Sequence, residues 1–311
     1  ALWSTAVDIA VETEDTSAID ALNVATGEWI KLGEHLSNWE LDTKPHVAAK
    51  TFDMQRSDIL RFLAKFTYLH EVTPSKVEDY LEDFDLAVKT KKRILSAWRS
   101  FFSFIGQKSL LRDISLEQER RRTRKPKTDK RQPLSDDQIK DLLQASEGQL
   151  HDLIALGAYT GARIEELCSL ELSEVTDTVL KITEAKSHAG VRDIPIHSSI
   201  QQLVERLKQT SKDGYLLSGL SSDNKYGKRA NGIGKQFGRL KSKLGYDGRF
   251  VFHSLRKSFI TKLENAGVQE NLAARVVGHE IGKKNISYGL YSGGVTYDTL
   301  KDVVELVGYD L

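Results

Sequence analysis

Three short segments of this sequence combine arginine, histidine and carboxylate side chains at spacings that suit chemistry on a phosphate ester. The first, Thr160–Leu167, has Arg163 just after a glycine break and Glu166 three residues later. The second, His253–Arg256, puts an imidazole and a guanidinium at i and i+3, which is one face of a helix. The third, Val277–His279, ends a helical pattern at a glycine and presents a second histidine.

These side-chain types together suit one kind of reaction. A guanidinium group can donate two parallel hydrogen bonds to the non-bridging oxygens of a phosphodiester. It binds them more tightly as negative charge builds in the transition state. Histidine moves protons near neutral pH, and a lysine can protonate a departing alkoxide. A phenol can attack phosphorus, and Tyr288 and Tyr291 follow the third segment. Because the sequence shows no paired-carboxylate metal cluster, we expect the protein to supply the cations without a metal or another cofactor.

The elements around these segments are predicted to be mainly helical. Leu134–Gln138 begins with a Ser/Asp cap ahead of apolar residues, which is typical of a helix start. Apolar residues then recur at helical spacing in further stretches. These are residues 151–172, 198–210, 231–244, 254–266 and 268–277.

A β-hairpin interrupts the helices. Residues 179–183 and 191–196 alternate like two strands, and the turn between them contains Lys186. Asn231–Gly234 lacks the preceding strand of a nucleotide-binding turn, so we interpret it as a loop. The expected fold class is mainly α with a small antiparallel β-sheet.

The region from about residue 51 to residue 108 is predicted to be a small helical domain. Thr73 and Pro74 provide an N-cap followed by proline at the first helical position. The last helix of the region has an apolar stripe on one face and bases on the other. The bases are Lys91, Lys92, Arg93 and Arg99. That basic face is either solvated or in contact with phosphates, and the sequence leaves both interpretations open.

Charge is segregated along the 311 residues. Residues 1–45 hold nine acids and two bases, a net charge of −7, which leaves +8 for the rest because the whole chain has +1. Residues 119–133 contain eight bases, two acids and two prolines, which predicts an extended linker. It lies along a phosphate backbone or serves only as a solubilising tether. The linker bases expected to contact phosphates are Arg121, Arg122, Arg124, Lys125 and Lys127.

The remaining composition excludes several classes of protein. A single cysteine, Cys168, excludes an internal disulfide framework and fits a reducing compartment. No apolar run approaches the roughly 20 residues needed to span a bilayer, and no secretion signal opens the chain. We therefore expect a cytoplasmic protein without a membrane partner.

The order of the site segments resembles that of the tyrosine recombinase (phage integrase) family. The shared order is Thr-Gly-Ala-Arg, a hairpin lysine, His-Ser-Leu-Arg, Gly-His and then a tyrosine. The resemblance covers about residues 46–311. It implies a helical core-binding domain at 46–118, an interdomain linker at 119–133 and a catalytic domain at 134–311, which together clamp DNA. The acidic residues 1–45 have no counterpart in it.

The resemblance implies a role for each residue that surrounds the phosphate. Arg163 and Arg256 would hold the scissile phosphate, and His279 would donate a hydrogen bond to it. Glu166 would orient Arg163 and its neighbours. Two alternatives remain open, because Glu166 could form a simple helix salt bridge and His279 could cap a helix C-terminus.

The resemblance also implies the groups that move protons and attack phosphorus. Lys186 would be the general acid at the 5′ oxygen, unless it is an ordinary surface residue of the hairpin. His253 would serve in proton transfer. Tyr291, which is followed by small residues, is interpreted as the nucleophile. Tyr288, nine residues after His279, is the alternative nucleophile.

The resemblance implies a site-specific DNA recombinase that acts through a 3′-phosphotyrosine intermediate and a Holliday junction. It also implies a tetramer on two DNA duplexes. The apolar stripe within Tyr297–Val307 then either docks on a neighbouring protomer or packs on its own domain. Alternatives are a topoisomerase- or telomere-resolvase-like enzyme, a non-catalytic DNA-binding module and a metal-dependent nuclease.

Overall fold

The structure is a computed structural model that describes residues 2–13, 17–27, 29–116, 131–184, 188–280 and 294–309. The chain divides into two compact units, Ala1–Thr123 and Arg124–Leu311. Within the described residues, no helix has the length and apolar character that crossing a bilayer requires.

The first unit is built from α-helices in its described residues. They are α1 (Leu2–Thr13), α2 (Ser17–Ala25), α3 (Leu36–Thr43), α4 (Ala49–Leu63), α5 (Pro74–Glu82) and α6 (Val88–Phe104). The predicted start of α5 is confirmed, because the Thr73 hydroxyl accepts a hydrogen bond from the backbone N–H of Lys76 (3.3 Å) and Pro74 is the first helical residue.

Aromatic side chains fill the core of the first unit. Trp98 of α6 is fully buried against α4 and donates its indole N–H to the carbonyl of Asp58 (2.8 Å). Leu32 and Trp39, which belong to the acidic segment 1–45, are buried in the same core. The later part of the acidic segment is therefore an integral part of this unit.

The second unit combines helices with one hairpin. Its described elements are α7 (Asp136–Gln144), α8 (Gly148–Thr160), α9 (Ile164–Cys168), β1 (Val179–Ile182), β2 (Arg192–Pro195), α10 (Gln201–Thr210), α11 (Ala230–Lys243), α12 (His253–Asn265), α13 (Glu270–Val277) and α14 (Tyr297–Glu305). β1 and β2 pair in antiparallel fashion, with Ile182 opposite Arg192. The predicted fold class, mainly α with a small antiparallel sheet, is confirmed.

Two glycines let α8 pack closely against α12. A Cβ atom on Gly157 would lie 2.6 Å from Cζ of Phe252, so only glycine fits at this crossing. Gly161 follows α8 with φ at 60°, and a Cβ atom there would lie 2.7 Å from Cδ1 of Phe259. Close packing therefore joins the end of α8, which leads into the first predicted site segment, to α12, which carries the second.

The predicted helix over residues 231–244 is confirmed as α11, and the interpretation of Asn231–Gly234 as a loop is wrong, because these residues lie in the first turn of that helix. Ile233 and Phe237 lie one helical turn apart and are both buried in the core. Their burial outweighs the cost of glycine in a helix, about 1 kcal/mol for each residue.

The apolar stripe of the C-terminal helix packs on its own unit. Val303, Val304 and Val307 are buried in the core of that unit. Glu305 accepts hydrogen bonds from the backbone N–H (2.9 Å) and the hydroxyl (2.7 Å) of Ser198. Of the two predicted arrangements, the structure therefore shows the second, in which α14 completes its own domain.

Candidate active site

Arg163 lies in a turn between α8 and α9 that local hydrogen bonds fix. The hydroxyl of Thr160 accepts a hydrogen bond from the backbone N–H of Ala162 (3.1 Å). Arg163 is then the N-cap of α9, and its backbone N–H donates to Oε2 of Glu166 (2.9 Å). Its Nη1 donates to Oε1 of the same carboxylate (2.5 Å). The predicted Glu166 contact therefore both starts α9 and holds the guanidinium of Arg163.

Arg192 binds the same carboxylate from the hairpin. Its side chain is only 5% exposed, and its Nη2 donates to Oε2 of Glu166 (2.9 Å). Burial alone would raise the pKa of Glu166, but hydrogen bonds from Arg192 and Arg163 and the charge of Arg192 outweigh burial and lower the pKa. Glu166 is thus an ionised bridge between two arginines.

Arg256 is a buried cation with unused hydrogen-bond donors. The residue is 1% exposed, and its Nη1 donates to the carbonyl of Gly161 (2.8 Å). Its Nε and Nη2 have no hydrogen-bond partner among the described residues. Burial, together with the charges of Arg163 and Arg192, lowers the pKa of Arg256 to about 9, so it is still protonated at neutral pH. Buried donors without partners are costly, so we expect an anion to accept these two hydrogen bonds.

The two predicted histidines lie at helix ends near these arginines. His253 is the first residue of α12, and His279 follows Gly278, the left-handed C-terminal cap of α13 (φ 69°). Desolvation lowers the pKa of both imidazoles, and the charges of Arg256 and Arg163 lower both further. Each imidazole is therefore mainly neutral at neutral pH, with one nitrogen that can accept a proton and one that can donate a hydrogen bond.

The structure brings five of the predicted site residues into one group. Arg163, Glu166, His253, Arg256 and His279 come from three distant segments, and the two arginines act electrostatically on both histidines. The predicted hairpin lysine, the two candidate nucleophiles and the linker bases lie outside the described residues. They are Lys186, Tyr288, Tyr291, Arg121, Arg122, Arg124, Lys125 and Lys127.

No metal site is found in the part of the chain that the structure describes. There, no three or more His, Cys, Asp or Glu side chains are grouped so that they could hold an ion. Within that part, the positive charge of the site comes from arginine side chains.

The bases predicted on α6 have different surroundings. Arg93 forms an ion pair with the buried Asp58. Arg99 donates to three backbone carbonyls that follow the helix, at 2.6 to 3.0 Å. Lys91 donates to one backbone carbonyl (3.2 Å), and Lys92 is exposed. A phosphate contact of Arg93 or Arg99 would compete with these bonds, so Lys92 is the most accessible of the four.

Sequence reasoning missed Arg192. One signal for it was present, because Arg192, Ile194 and Ile196 occupy alternate positions and therefore share a strand face. Both isoleucines are buried. A charge on an apolar strand face requires a partner in the core, and here the partner is Glu166.

Substitution of Gly278 tests how closely the hairpin packs against α13. A Cβ atom on it would lie 2.8 Å from Nη1 of Arg192 and 3.0 Å from the carbonyl oxygen of Ala189. We expect Gly278→Ala to lower the free energy of unfolding by more than the about 1–2 kcal/mol that left-handed backbone alone costs. The control is Gly245→Ala, which has φ at 81° and no neighbour within 4 Å. Equal losses in urea unfolding of the two variants would contradict the close packing.

Comparison with known proteins defines the family. The model of the "Phage integrase family" matches residues 132–288, which is just over half of the chain. This chain therefore belongs to the phage integrase family. The match includes Tyr288 and ends before Tyr291.

Curated relatives resemble most of the chain. "Tyrosine recombinase XerC" of Pelotomaculum thermopropionicum is 24% identical, over 79% of this chain and 89% of that protein. "Tyrosine recombinase XerA" of Pyrococcus horikoshii is 25% identical, over 80% of this chain and 79% of that protein.

Among solved structures, a lambda integrase dimer bound to a COC′ core site has a TM-score of 0.66 at 18% identity, and covers 94% of this chain and 88% of that chain. A lambda integrase tetramer bound to a Holliday junction has a TM-score of 0.66 at 17% identity. The match covers 90% of this chain and 87% of that chain. At these identities the likeness establishes the shared fold.

Proposed function

We propose that this chain is a site-specific DNA recombinase that cleaves and rejoins double-stranded DNA through a 3′-phosphotyrosine link. The observation that carries the proposal is the buried guanidinium of Arg256, which has two donors without partners among the described residues. A phosphodiester supplies the missing acceptors and is also the group on which Arg163, His253 and His279 can act. Family membership and the relatives described as tyrosine recombinases support DNA as the substrate.

In the proposed site, Arg256 and Arg163 hold the two non-bridging oxygens of the scissile phosphate. Their charge stabilises the additional negative charge of the pentavalent transition state, and burial makes that stabilisation stronger than it would be in water. The ionised Glu166 keeps the Arg163 guanidinium oriented. His279 donates one more hydrogen bond to the phosphate.

The covalent step exchanges one phosphoester bond for another. The oxygen of Tyr291 forms a bond to phosphorus while the bond from phosphorus to the 5′ oxygen breaks. The neutral His253 accepts the phenolic proton, and Lys186 gives a proton to the 5′ oxygen. The products are a 3′-phosphotyrosyl link and a free 5′ hydroxyl. A 5′ hydroxyl of a partner duplex then attacks the link, and no ATP is needed because the bond energy is conserved.

The proposed assembly is a tetramer on two duplexes that passes through a Holliday junction. It is supported by the shared fold with a lambda integrase tetramer described as bound to such a junction. The linker bases Arg121, Arg122 and Arg124, together with Lys92, are proposed to contact the DNA backbone. The proposed location is the cytoplasm of a bacterial, archaeal or phage-infected cell, where such a DNA substrate would be found.

The rate of cleavage is expected to decrease as the pH drops below neutrality, because His253 becomes protonated. Because burial and the nearby arginines lower the pKa of His253, the midpoint of this fall in kcat/KM lies below the ordinary value of 6.5. The constant kcat/KM reports the free protein, so bound phosphate does not shift it. Rates measured from about pH 5 to about pH 8 check the expectation. A midpoint above 6.5, or the same acid limb in His253→Gln, would count against this role.

Covalent capture tests the proposed function even though the DNA site is not specified. The probe is a pool of duplexes with randomised sequence on both sides of a nick. After cleavage near the nick, the short 5′-hydroxyl fragment diffuses away and rejoining stops. We expect an SDS-resistant protein–DNA adduct that forms in excess chelator, and sequencing of the captured DNA identifies a preferred duplex. Failure of the unmodified protein to capture any duplex would refute the function.

A further inference from the structure

Arg192 joins three segments of the second unit through one guanidinium group. Its Nε donates to the carbonyl of Val276 in the last turn of α13 (2.8 Å), and its Nη1 donates to the carbonyl of Gly190 at the end of the hairpin turn (2.7 Å). Its Nη2 donates to Glu166 of α9 (2.9 Å). Since the side chain is 5% exposed, these protein groups rather than solvent are its surroundings.

The segments held by Arg192 are those that carry the proposed phosphate ligands. Glu166 binds Arg163 directly, and Val276 lies three residues before His279. Gly278 lies between the two arginines, because Nη2 of Arg163 donates to its carbonyl (3.4 Å) while its missing side chain leaves room for the guanidinium of Arg192. A movement of Arg192 would therefore displace Arg163 and His279 together.

We infer that Arg192 is a positioning residue for DNA cleavage. It fixes the positions of Arg163 and His279 relative to each other, through Glu166 and the end of α13. This inference rests on the proposed function. Each of its three guanidinium nitrogens already donates to a protein acceptor, so the proposed role is exerted through Arg163 and His279 rather than on the phosphate. A planar fork is required for the role, since the three acceptors lie on three different elements and an ammonium group cannot reproduce that geometry.

The test is the single-turnover cleavage rate of Arg192→Lys on the duplex recovered by covalent capture, at saturating DNA. The charge is kept and the fork is lost, so we expect the rate to fall about 10- to 100-fold, as small misplacements of reacting groups do. The dissociation constant for DNA is expected to stay close to that of the unmodified protein, because many other phosphate contacts determine it.

Arg229→Lys is the matched control. Arg229 is also buried, in the same unit, and donates to the carbonyls of Cys168 (2.7 Å) at the end of α9 and Leu217 (2.9 Å), but none of its described hydrogen bonds goes to Glu166 or to the end of α13. We expect this variant to lose thermal stability as Arg192→Lys does, but to cleave at the rate of the unmodified protein. Equal slowing in the two variants would show a general structural effect and overturn the inference.

A double-mutant cycle checks the route through Glu166. If Arg192 acts through that carboxylate, Arg192→Lys combined with Glu166→Gln slows cleavage about as much as the more severe single variant. If the rate losses of the two single variants multiplied in the double variant, the route through Glu166 would be overturned. Should Arg192→Lys unfold at the assay temperature, all variants are compared at a lower temperature at which each is folded. Slowing of Arg192→Lys at unchanged DNA affinity supports the inference, and an unchanged rate contradicts it.

The outcomes separate this inference from the function on which it rests. An adduct formed by the unmodified protein together with an undiminished rate in Arg192→Lys would overturn only the role of Arg192. Absence of any adduct from the unmodified protein would instead overturn the proposed function.

Discussion

Replacing Arg256 with lysine is expected to slow DNA cleavage at saturating DNA by about 10²- to 10³-fold, the size of effect that follows loss of a preorganised donor to transition-state charge. The guanidinium is buried, and its Nη1 is held by the carbonyl of Gly161. Only its Nε and Nη2 remain for an anion within the described residues. An ammonium group has the same charge but cannot present two parallel donors to two phosphate oxygens.

The control for this substitution is Arg206→Lys. Arg206 is an exposed residue of α10 that pairs with Asp152 (2.6 Å), so its substitution is expected to leave cleavage unchanged. Single-turnover rates and DNA dissociation constants of both variants separate chemistry from binding. If Arg256→Lys cleaved as fast as Arg206→Lys, the buried guanidinium would not be the phosphate ligand.

Tyr291→Phe is expected to abolish the covalent adduct, because phenylalanine has no oxygen with which to attack phosphorus. Tyr288→Phe is the matched variant and is expected to retain the adduct. The two residues are compared because Tyr291 precedes small residues, whereas Tyr288 lies within the family match. The measurement is the amount of SDS-resistant adduct on the captured duplex. Adduct from Tyr291→Phe but not from Tyr288→Phe would reverse the assignment.

Much of the fold was predictable because local signals agree with tertiary packing. The cap at Thr73 and the glycine stop at Gly278 lie where the sequence placed them. The same holds for the β-hairpin. Each of these features depends on a few neighbouring residues, which is why one sequence suffices to find it.

What the sequence could not give depends on contacts between distant segments. The role of Arg192 requires the register of the hairpin against α9 and α13, which no local pattern contains. Helical spacing predicted α11, but its start at Asn231–Gly234 depends on the burial of Ile233 and Phe237, which outweighs the local preference of the glycines. The partner of the α14 stripe was equally open, because an apolar helix face does not specify what covers it.

The candidate site was also predictable only in part. Motif order predicted that Arg163, His253, Arg256 and His279 belong to one site, and the structure groups them. The electrostatics could not be predicted in this way, because the lowered pKa of each histidine arises from burial and from arginines in other segments. The unpartnered donors of Arg256 also became visible only when the surrounding atoms were placed.

Identification of the residue joined to DNA decides whether this chain cleaves DNA through a tyrosine. The adduct formed on the captured duplex in excess chelator is digested with protease and nuclease, and the modified peptide is sequenced by mass spectrometry. We predict a 3′-phosphate linked to Tyr291, formed at the same rate with and without chelator. No adduct, a link through a 5′ phosphate, or a link to a residue other than a tyrosine would contradict the account.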